Sequence, residues 1–218
     1  INLDNIMNIA IVGGGIVGLA LGYKLSKVKG NKVHVYEKEK EVGFHQSGRN
    51  SGVLHCGLAY KPGSLKAKLA VSGIKQMVKY CIDYKINHDV CGKIVVASNE
   101  NEAKLLENTT KRGNLNGLKG LKYLNTRELK DREPFVSSHK TLLVPEEGIV
   151  DYKGVMMSMK ENIINSGGRV FLDTKIEKVE ENKNFIYINK NSSISYDTII
   201  YTTGLQSDIN FKKFTNNK

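Results

Sequence analysis

The chain has 218 residues, 40% of them hydrophobic, and a formal net charge of +11. That apolar share allows a packed core and excludes a chain that is disordered throughout. The positive charge is spread along the chain, without a dense basic run or interleaved aromatic residues, so we predict no nucleic-acid binding. Cys56, Cys81 and Cys91 form neither a CxxC nor a metal-ligand pattern, which predicts reduced thiols in a reducing compartment.

The first predicted elements form a β–α–β unit. Asn8 to Val12 is a short apolar run that ends in glycines, as a buried parallel strand does. Ile16 to Val28 follows with apolar residues every three or four positions, which predicts a helix. Lys32 to Glu37 alternates in polarity and predicts a second strand. The three together have the length of one β–α–β unit, about 30 residues.

The elements predicted further along the chain are less regular. Glu41 to Tyr60 is a long loop rich in Gly, Ser, His and Asn, and loops of that length usually carry function. Helices are predicted over Ser64–Cys81, Asn99–Arg112 and Tyr152–Asn165, and strands over Lys93–Ala97, Arg169–Leu172, Ile176–Glu181, Phe185–Asn189 and Thr198–Tyr201. The last residues, 210–218, are polar and predict no clear element.

A nucleotide site is predicted at the first turn of the chain. Gly13, Gly15 and Gly18 form a GxGxxG loop between a strand and a helix, where glycines permit a tight turn, close approach of a pyrophosphate and close helix packing. Glu37 ends the next strand, where its carboxylate can accept hydrogen bonds from a ribose diol and repel a 2′-phosphate. FAD and NAD share this pattern, so the loop alone leaves both open.

The segment HQSGRNSGVLHCG, from His45 to Gly57, favours FAD. Its small hydroxyl and amide side chains can hydrogen-bond a diphosphate and a ribityl chain, and its glycines admit close backbone approach. An NAD site needs no such long polar segment. From composition alone, a solvated turn-rich loop is an equal alternative.

The residues HQSGRNSGVLHCGLAYKPGSLKAKL, with CGKIVVA, EEGIVDYKGV and YTTGLQSD, resemble the L-2-hydroxyglutarate dehydrogenase/oxidase family. These are flavoproteins of the D-amino-acid-oxidase-like group, and the resemblance runs from about Asn8 to Asp208. It implies an α/β fold: a Rossmann-like FAD-binding domain, with a parallel sheet and a β-meander, plus part of a mixed-sheet substrate domain. The implied boundaries are 1–90 with 147–218 for the FAD-binding domain and 91–146 for the partial substrate domain.

The same resemblance implies the residues that bind FAD. They are Gly13, Gly15, Gly18 and Glu37 at the ADP half, Ser47, Asn50, Ser51 and Gly52 along the pyrophosphate and ribityl chain, Ile176 at the adenine, and Thr203 and Gly204 where the chain returns to the cofactor. No metal ligands are predicted.

The implied reaction is oxidation of L-2-hydroxyglutarate to 2-oxoglutarate, with a hydride passing to flavin N5. A neutral imidazole suits removal of the hydroxyl proton, and His55 is the first candidate and His45 the second. For either, a structural role in orienting the loop is an equal alternative. Tyr60, Lys66 and Arg49 are candidates for binding the two substrate carboxylates.

The family extends beyond Asp208, so the chain is expected to be an N-terminal fragment or split subunit that works with a complementary C-terminal half. Oxygen, a quinone and an electron-transfer protein all stay open as electron acceptors. The expected location is the cytoplasm or the inner face of the membrane, or the mitochondrion in a eukaryote. Two alternatives stay open: a related amino-acid or glycerol-3-phosphate oxidase or dehydrogenase, and an inactive remnant.

Overall fold

A computed structural model of the chain describes residues 7–180, 185–189 and 192–209. The helices of these residues are α1 Ile16–Ser26, α2 Leu65–Asp83, α3 Glu100–Leu115, α4 Thr126–Arg132 and α5 Tyr152–Asn165. The strands are β1 Asn8–Val12, β2 Lys32–Tyr36, β3 Val53–Leu54, β4 His88–Asp89, β5 Lys93–Ala97, β6 Lys122–Leu124, β7 Lys140–Val144, β8 Gly148–Val150, β9 Arg169–Phe171, β10 Lys178–Glu180, β11 Phe185–Asn189, β12 Ser192–Ser195 and β13 Thr198–Tyr201. The polar end at 210–218 and residue 181 of a predicted strand lie outside the described residues.

The chain divides into two compact units, the first made of residues 1–50 with 152–218 and the second of residues 51–151. Compactness does not test which segments contact a flavin or a substrate. The division into an FAD-binding domain and a partial substrate domain, at 90/91 and 146/147, therefore stays a prediction.

The first unit is built on a parallel sheet in the order β13, β1, β2, β9. Strand β1 lies inside this sheet, and its residues Ile9 to Val12 are buried, which explains the continuous apolar run in the sequence. Helix α5 buries a stripe of apolar side chains at helical spacing: Val155, Met156, Met159 and Ile163. The β–α–β unit predicted from the sequence is confirmed.

Strands β10, β11 and β12 form an antiparallel meander that packs on the parallel sheet. Their shared core joins the buried residues Ala10, Val12, Tyr36, Ile176, Val179, Ile186 and Tyr196. The hydroxyls of Tyr36 and Tyr196 are 2.5 Å apart within it. Because burial penalises their charged forms, the pKa of both tyrosines lies above the ordinary value. The predicted α/β class, with a parallel sheet and a β-meander, is confirmed.

The second unit combines two three-stranded antiparallel sheets, in the orders β3–β8–β4 and β5–β7–β6, with helices α2, α3 and α4. Side chains cap these helices at their N-termini. Ser64 Oγ accepts the N–H of Ala67 at the start of α2, and Asn125 and Glu128 form a reciprocal capping box on α4. In the described residues, no helix is long and apolar enough to cross a membrane.

Several predicted elements have different ends in the structure. Helix α1 ends at Ser26, before the predicted Val28, because the chain leaves the helix in turns toward Asn31. Helix α2 runs two residues beyond the predicted Cys81. Helix α4 and strands β6 to β8 were not predicted, since α4 has seven residues with only Leu129 buried and these strands have three to five residues.

Candidate functional site

The turn after β1 is formed by two glycines that cannot carry a side chain. Gly13 has a φ of +114°, which L side chains rarely adopt, and a Cβ there would overlap the carbonyl oxygen of Thr202. A Cβ at Gly18 would overlap the carbonyl oxygen of Gly13. Gly18 therefore allows helix α1 to pack directly against the turn, so that its N-terminus begins where β1 ends.

The N-terminus of helix α1 presents backbone N–H groups in an electropositive setting. Its N-cap is Gly15, which has no side chain to cap the helix, and no acidic residue lies in the first turn. Ser47 Oγ accepts the N–H of Ile16 at 3.0 Å. The first turn of a helix has N–H groups without intrahelical partners and the positive end of the helix dipole, so this position favours an anion.

Glu37 supports the glycine turn as well as facing the cavity beside it. Its side chain is buried; Oε2 accepts the N–H of Gly14 at 2.7 Å and Oε1 accepts the N–H of Glu39 at 3.0 Å. Each carboxylate oxygen has a second lone pair, so both bonds leave capacity for a ligand hydroxyl. The sequence predicted the ribose contact but not this bond to the turn.

A cavity of about 600 Å³ opens at this end of the parallel sheet. It is lined by the glycine turn, the end of β2, the segment 43–47, the segment 174–176 and the segment 201–207. Seven of the residues predicted to bind FAD line it: Gly13, Gly15, Glu37, Ser47, Ile176, Thr203 and Gly204. All of these residues belong to the first unit.

The other four residues predicted to bind FAD have different surroundings. Gly18 lies in helix α1 and packs on the turn. The Asn50 amide donates to the Ser47 carbonyl oxygen at 2.6 Å and so supports the loop that carries Ser47. Ser51 and Gly52 line a different cavity of about 490 Å³ in the second unit. Contact between these four residues and FAD stays a prediction.

Several cavity residues were not predicted from the sequence, and Thr202 is the main one. Its Oγ1 donates to the carbonyl oxygens of Val12 at 3.1 Å and Gly13 at 2.9 Å, which ties the end of β13 to the turn. Val17 and Leu205 also line the cavity, although 67% and 77% of their surfaces are exposed to solvent. They offer apolar surface to a ligand at that edge of the cavity.

The candidates for chemistry lie in both units. His55, in the second unit, has 59% of its side chain exposed, and its Nδ1 lies 3.6 Å from Glu147 Oε2. Lys66 Nζ lies 4.5 Å from the centre of the Tyr60 ring, a cation–π contact.

Two further candidates belong to the first unit. The Arg49 guanidinium lies 5.2 Å from the centre of the Phe44 ring. His45 Nε2 lies 2.9 Å from Glu39 Oε1, beside the nucleotide cavity. Neither pairing fixes a catalytic or substrate-binding role, so these assignments stay predictions.

The residues of the first cavity fit a dinucleotide such as FAD. The glycine turn leaves space that a Cβ would fill, the helix N-terminus suits a pyrophosphate, and Glu37 suits a ribose diol. A volume of about 600 Å³ lies in the range of ordinary ligand sites. In the described residues there is no cluster of side chains that could hold a metal ion.

Comparison with known sequences identifies the family of this site. Residues 8–217 match the model of the family described as "FAD dependent oxidoreductase". The L-2-hydroxyglutarate dehydrogenase of Indibacter alkaliphilus is 44% identical over 202 residues, which are 92% of this chain and 51% of that protein. The mitochondrial L-2-hydroxyglutarate dehydrogenase of Dictyostelium discoideum is 45% identical over 194 residues, 87% of this chain and 43% of that protein. The chain thus spans about half the length of the curated relatives it matches.

Solved structures agree on the fold. Glycine oxidase from Geobacillus kaustophilus superposes with a TM-score of 0.84 at 19% identity, covering 95% of this chain and 58% of that one. Reduced L-α-glycerophosphate oxidase from Mycoplasma pneumoniae, with FAD bound, gives 0.82 at 24% identity, covering 96% of this chain and 57% of that one. The family match, the shared fold and the glycine turn agree: the chain belongs to the FAD-dependent oxidoreductase family.

Proposed function

We propose that this chain supplies the FAD-binding part of an enzyme that oxidises L-2-hydroxyglutarate to 2-oxoglutarate. The observation that carries the proposal is the 44% identity to a dehydrogenase of that name over 92% of this chain, a stretch that includes the segment around His55. The two oxidase structures compared above are 19% and 24% identical, so they support the fold and not a substrate.

In this proposal the first cavity holds the ADP half of FAD. The pyrophosphate lies at the N-terminus of helix α1, the ribose hydroxyls donate to Glu37, and the backbone at Ile176 contacts the adenine. When bound, FAD would supply flavin N5 as the acceptor of a hydride from C2 of the substrate. Asn50, Ser51 and Gly52 carry the binding site on toward the flavin ring.

His55 is the proposed general base, since its exposed imidazole can reach a ligand and a neutral imidazole can accept the hydroxyl proton. Tyr60, Lys66 and Arg49 are proposed to bind the two substrate carboxylates. Lys66 and Tyr60 lie side by side, and an ammonium and a phenol hydroxyl are both groups that bind a carboxylate.

Because the chain spans about half of its relatives, the complete activity is proposed to need a complementary C-terminal half. Residues 1–90 and 147–218 are proposed as the FAD-binding domain and residues 91–146 as part of the substrate domain. Oxygen, a quinone or an electron-transfer protein reoxidises the flavin. The Dictyostelium relative is mitochondrial by its name; a bacterial enzyme is proposed to work in the cytoplasm or at the inner face of the membrane.

The test is anaerobic reduction of the flavin. The chain is purified alone and together with the part of the Indibacter relative that it does not match, and each preparation is mixed with FAD. We expect L-2-hydroxyglutarate to bleach the visible flavin band, and the D-enantiomer, glycine and glycerol 3-phosphate to leave it unchanged. Bleaching by glycine or glycerol 3-phosphate in place of L-2-hydroxyglutarate would assign the chain to a different oxidase, and no bleaching by any substrate would support an inactive remnant.

A matched pair of variants then tests the base. His55→Gln should slow bleaching by about 100-fold or more while FAD affinity stays close to that of the wild type. His88→Gln, a histidine of the same unit whose Nδ1 lies 2.8 Å from the Ile86 carbonyl oxygen, serves as the control. Equal rates in the two variants would remove His55 as the base.

A further inference from the structure

The buried carboxylate of Glu147 lies next to the His55 ring. We call Glu147, Cys56 and Lys93 the Glu147 cluster; all three belong to the second unit. Only 2% of the Glu147 side chain is exposed, although no metal site or predicted nucleotide contact includes it. A buried carboxylate is costly unless it is paired and hydrogen-bonded, so this side chain needs an explanation.

The contacts of Glu147 keep it ionised and fix its orientation. Oε1 accepts the N–H and the S–H of Cys56, each at 3.3 Å. Lys93 Nζ forms an ion pair with Oε2. Burial alone would raise the pKa of Glu147, but Lys93 and Cys56 outweigh burial and hold the pKa below its ordinary value. The carboxylate is therefore negatively charged at neutral pH.

One side of this carboxylate faces His55. Nδ1 of His55 lies 3.6 Å from Oε2, which is an ion-pair distance and slightly longer than a hydrogen bond. Oε2 is buried and carries the Lys93 ion pair, and because a carboxylate oxygen can accept two hydrogen bonds, one lone pair remains for His55. A small rotation of the exposed imidazole completes the bond, and catalytic hydrogen bonds are often long before a ligand binds.

The backbone of His55 is held by the same carboxylate. Cys56 follows His55 in the chain, and its N–H is bound to Oε1. Oε1 of Glu147 therefore binds the peptide between His55 and Cys56, and Oε2 lies near the His55 ring. The Cys56 thiol does not compete as a base, because burial, and then the nearby Glu147 charge, raise its pKa to about 12.

We propose that Glu147 is a positioning residue for His55: it accepts a hydrogen bond from Nδ1–H and so leaves Nε2 unprotonated and directed away from the cluster. The inference rests on the proposed function, in which Nε2 takes the C2 hydroxyl proton while the C2 hydride and its electron pair pass to FAD. The tautomer of a histidine is set by the bond that its other nitrogen makes. After the transfer, the Glu147 charge stabilises the imidazolium that forms.

A purely structural role is the competing explanation, in which Glu147 only satisfies Lys93 and Cys56. That role would not set the tautomer of His55. The two explanations therefore differ in nuclear magnetic resonance of the His55 ring nitrogens, which needs neither FAD nor activity.

The experiment uses the 218-residue chain labelled with 15N-histidine, with His55→Gln to assign the signals. In the wild type we expect Nδ1 of the neutral His55 imidazole to carry the proton. Glu147→Gln keeps the shape and removes the charge, and should change the 15N chemical shifts of both His55 ring nitrogens. Glu147→Val removes the acceptor and should shift the proton to Nε2. Circular dichroism and FAD affinity check that both variants fold.

Glu146→Gln is the matched control. It removes the same charge one residue away, where Glu146 Oε1 accepts the N–H of Lys119. We expect its His55 signals to equal those of the wild type. Unchanged His55 signals in both Glu147 variants would overturn the proposal, as would Nε2–H as the main form in the wild type.

Flavin reduction separates this proposal from the proposed function. With the complementary half present, Glu147→Gln should slow bleaching by L-2-hydroxyglutarate by about tenfold or more. If no preparation is bleached, the proposed function fails while the resonance result still decides the Glu147–His55 contact. If bleaching is normal in Glu147→Gln and in wild type alike at every pH, positioning by Glu147 is overturned.

Discussion

The cavity of the first unit and the Glu147 cluster of the second unit are built in different ways. The cavity is made largely of backbone groups: a glycine turn, a helix N-terminus and strand ends, with Glu37 and Ser47 as supports. The Glu147 cluster depends on side-chain charge. Its buried carboxylate pairs with Lys93, accepts hydrogen bonds from Cys56 and lies near Nδ1 of His55. The first site therefore depends on shape, whereas the second depends on charge.

This difference predicts opposite sensitivities. Adding a side chain at the glycine turn should greatly weaken nucleotide binding, although the charge of the site stays the same. Removing one charge from the Glu147 cluster should change proton chemistry, although its shape stays nearly the same. Each prediction below would weaken or sharpen that distinction.

Gly18→Val should have the largest effect. The new side chain would overlap the carbonyl oxygen of Gly13, so the turn and helix α1 must separate. We expect FAD affinity to fall about 100-fold, equivalent to about 3 kcal/mol, since overpacking of this kind is costly. Flavin fluorescence titration measures the change. Gly73→Ala in helix α2 is the control, because nothing lies within 4 Å of a Cβ there, and it should bind FAD as the wild type does.

Glu37→Ala should have the next largest effect, and it should appear even without FAD. The change removes the acceptor of the Gly14 N–H, which then lies at the turn without its carboxylate partner. We expect the free energy of unfolding to fall by about 1–3 kcal/mol in urea denaturation of the FAD-free chain. Glu41→Ala, at an exposed glutamate, should change it little. Equal losses in the two variants would mean that Glu37 does not support the turn.

Glu147 should give the chain an acid-sensitive stability term. Its pKa in the folded chain lies below the ordinary 4.5, because Lys93 and Cys56 outweigh the opposing effect of burial. The contribution is therefore present above about pH 4.5 and is lost as pH falls through the lower folded-state value. Urea unfolding from neutral pH down to about pH 3 should show a steeper loss below about pH 4.5 for the wild type than for Glu147→Gln. Parallel curves would contradict an ionised Glu147.

Thiol reactivity should give the smallest effect, with no change in fold. Cys91 is exposed, whereas Cys56 and Cys81 are buried. Burial also raises the pKa of both buried thiols, with Glu147 adding to the effect at Cys56 and Asp151 at Cys81. A chromogenic disulfide reagent near pH 8 should therefore react at Cys91 alone in the native chain, and at all three cysteines in denaturant. Rapid reaction of Cys56 in the native chain would mean that the Glu147 cluster opens.

The sequence predicted the first cavity because its main parts are local. The β–α–β unit, the glycine spacing and Glu37 lie within one short segment. Each glycine is needed there for the tight turn, the approach of a pyrophosphate or the packing of the helix. Thr202 was not predicted because it meets Gly13 only through the pairing of β1 with β13, 189 residues away along the chain.

The Glu147 cluster could not be predicted for the same physical reason. Glu147 and Cys56 are 91 residues apart, and nothing in EEG at 146–148 distinguishes a buried carboxylate from an exposed one. The resemblance to known flavoproteins pointed to His55, but it did not indicate that Glu147 lies beside it. Site chemistry set by long-range pairing becomes visible only in the folded chain.

FAD titration of three proteins tests the central distinction most directly: wild type, Gly18→Val and Glu147→Gln, each followed by flavin fluorescence. The account predicts that the wild type and Glu147→Gln bind FAD with similar affinity, and that Gly18→Val loses about 100-fold, equivalent to about 3 kcal/mol. Equal affinity in the wild type and Gly18→Val would contradict a nucleotide site built on the glycine turn.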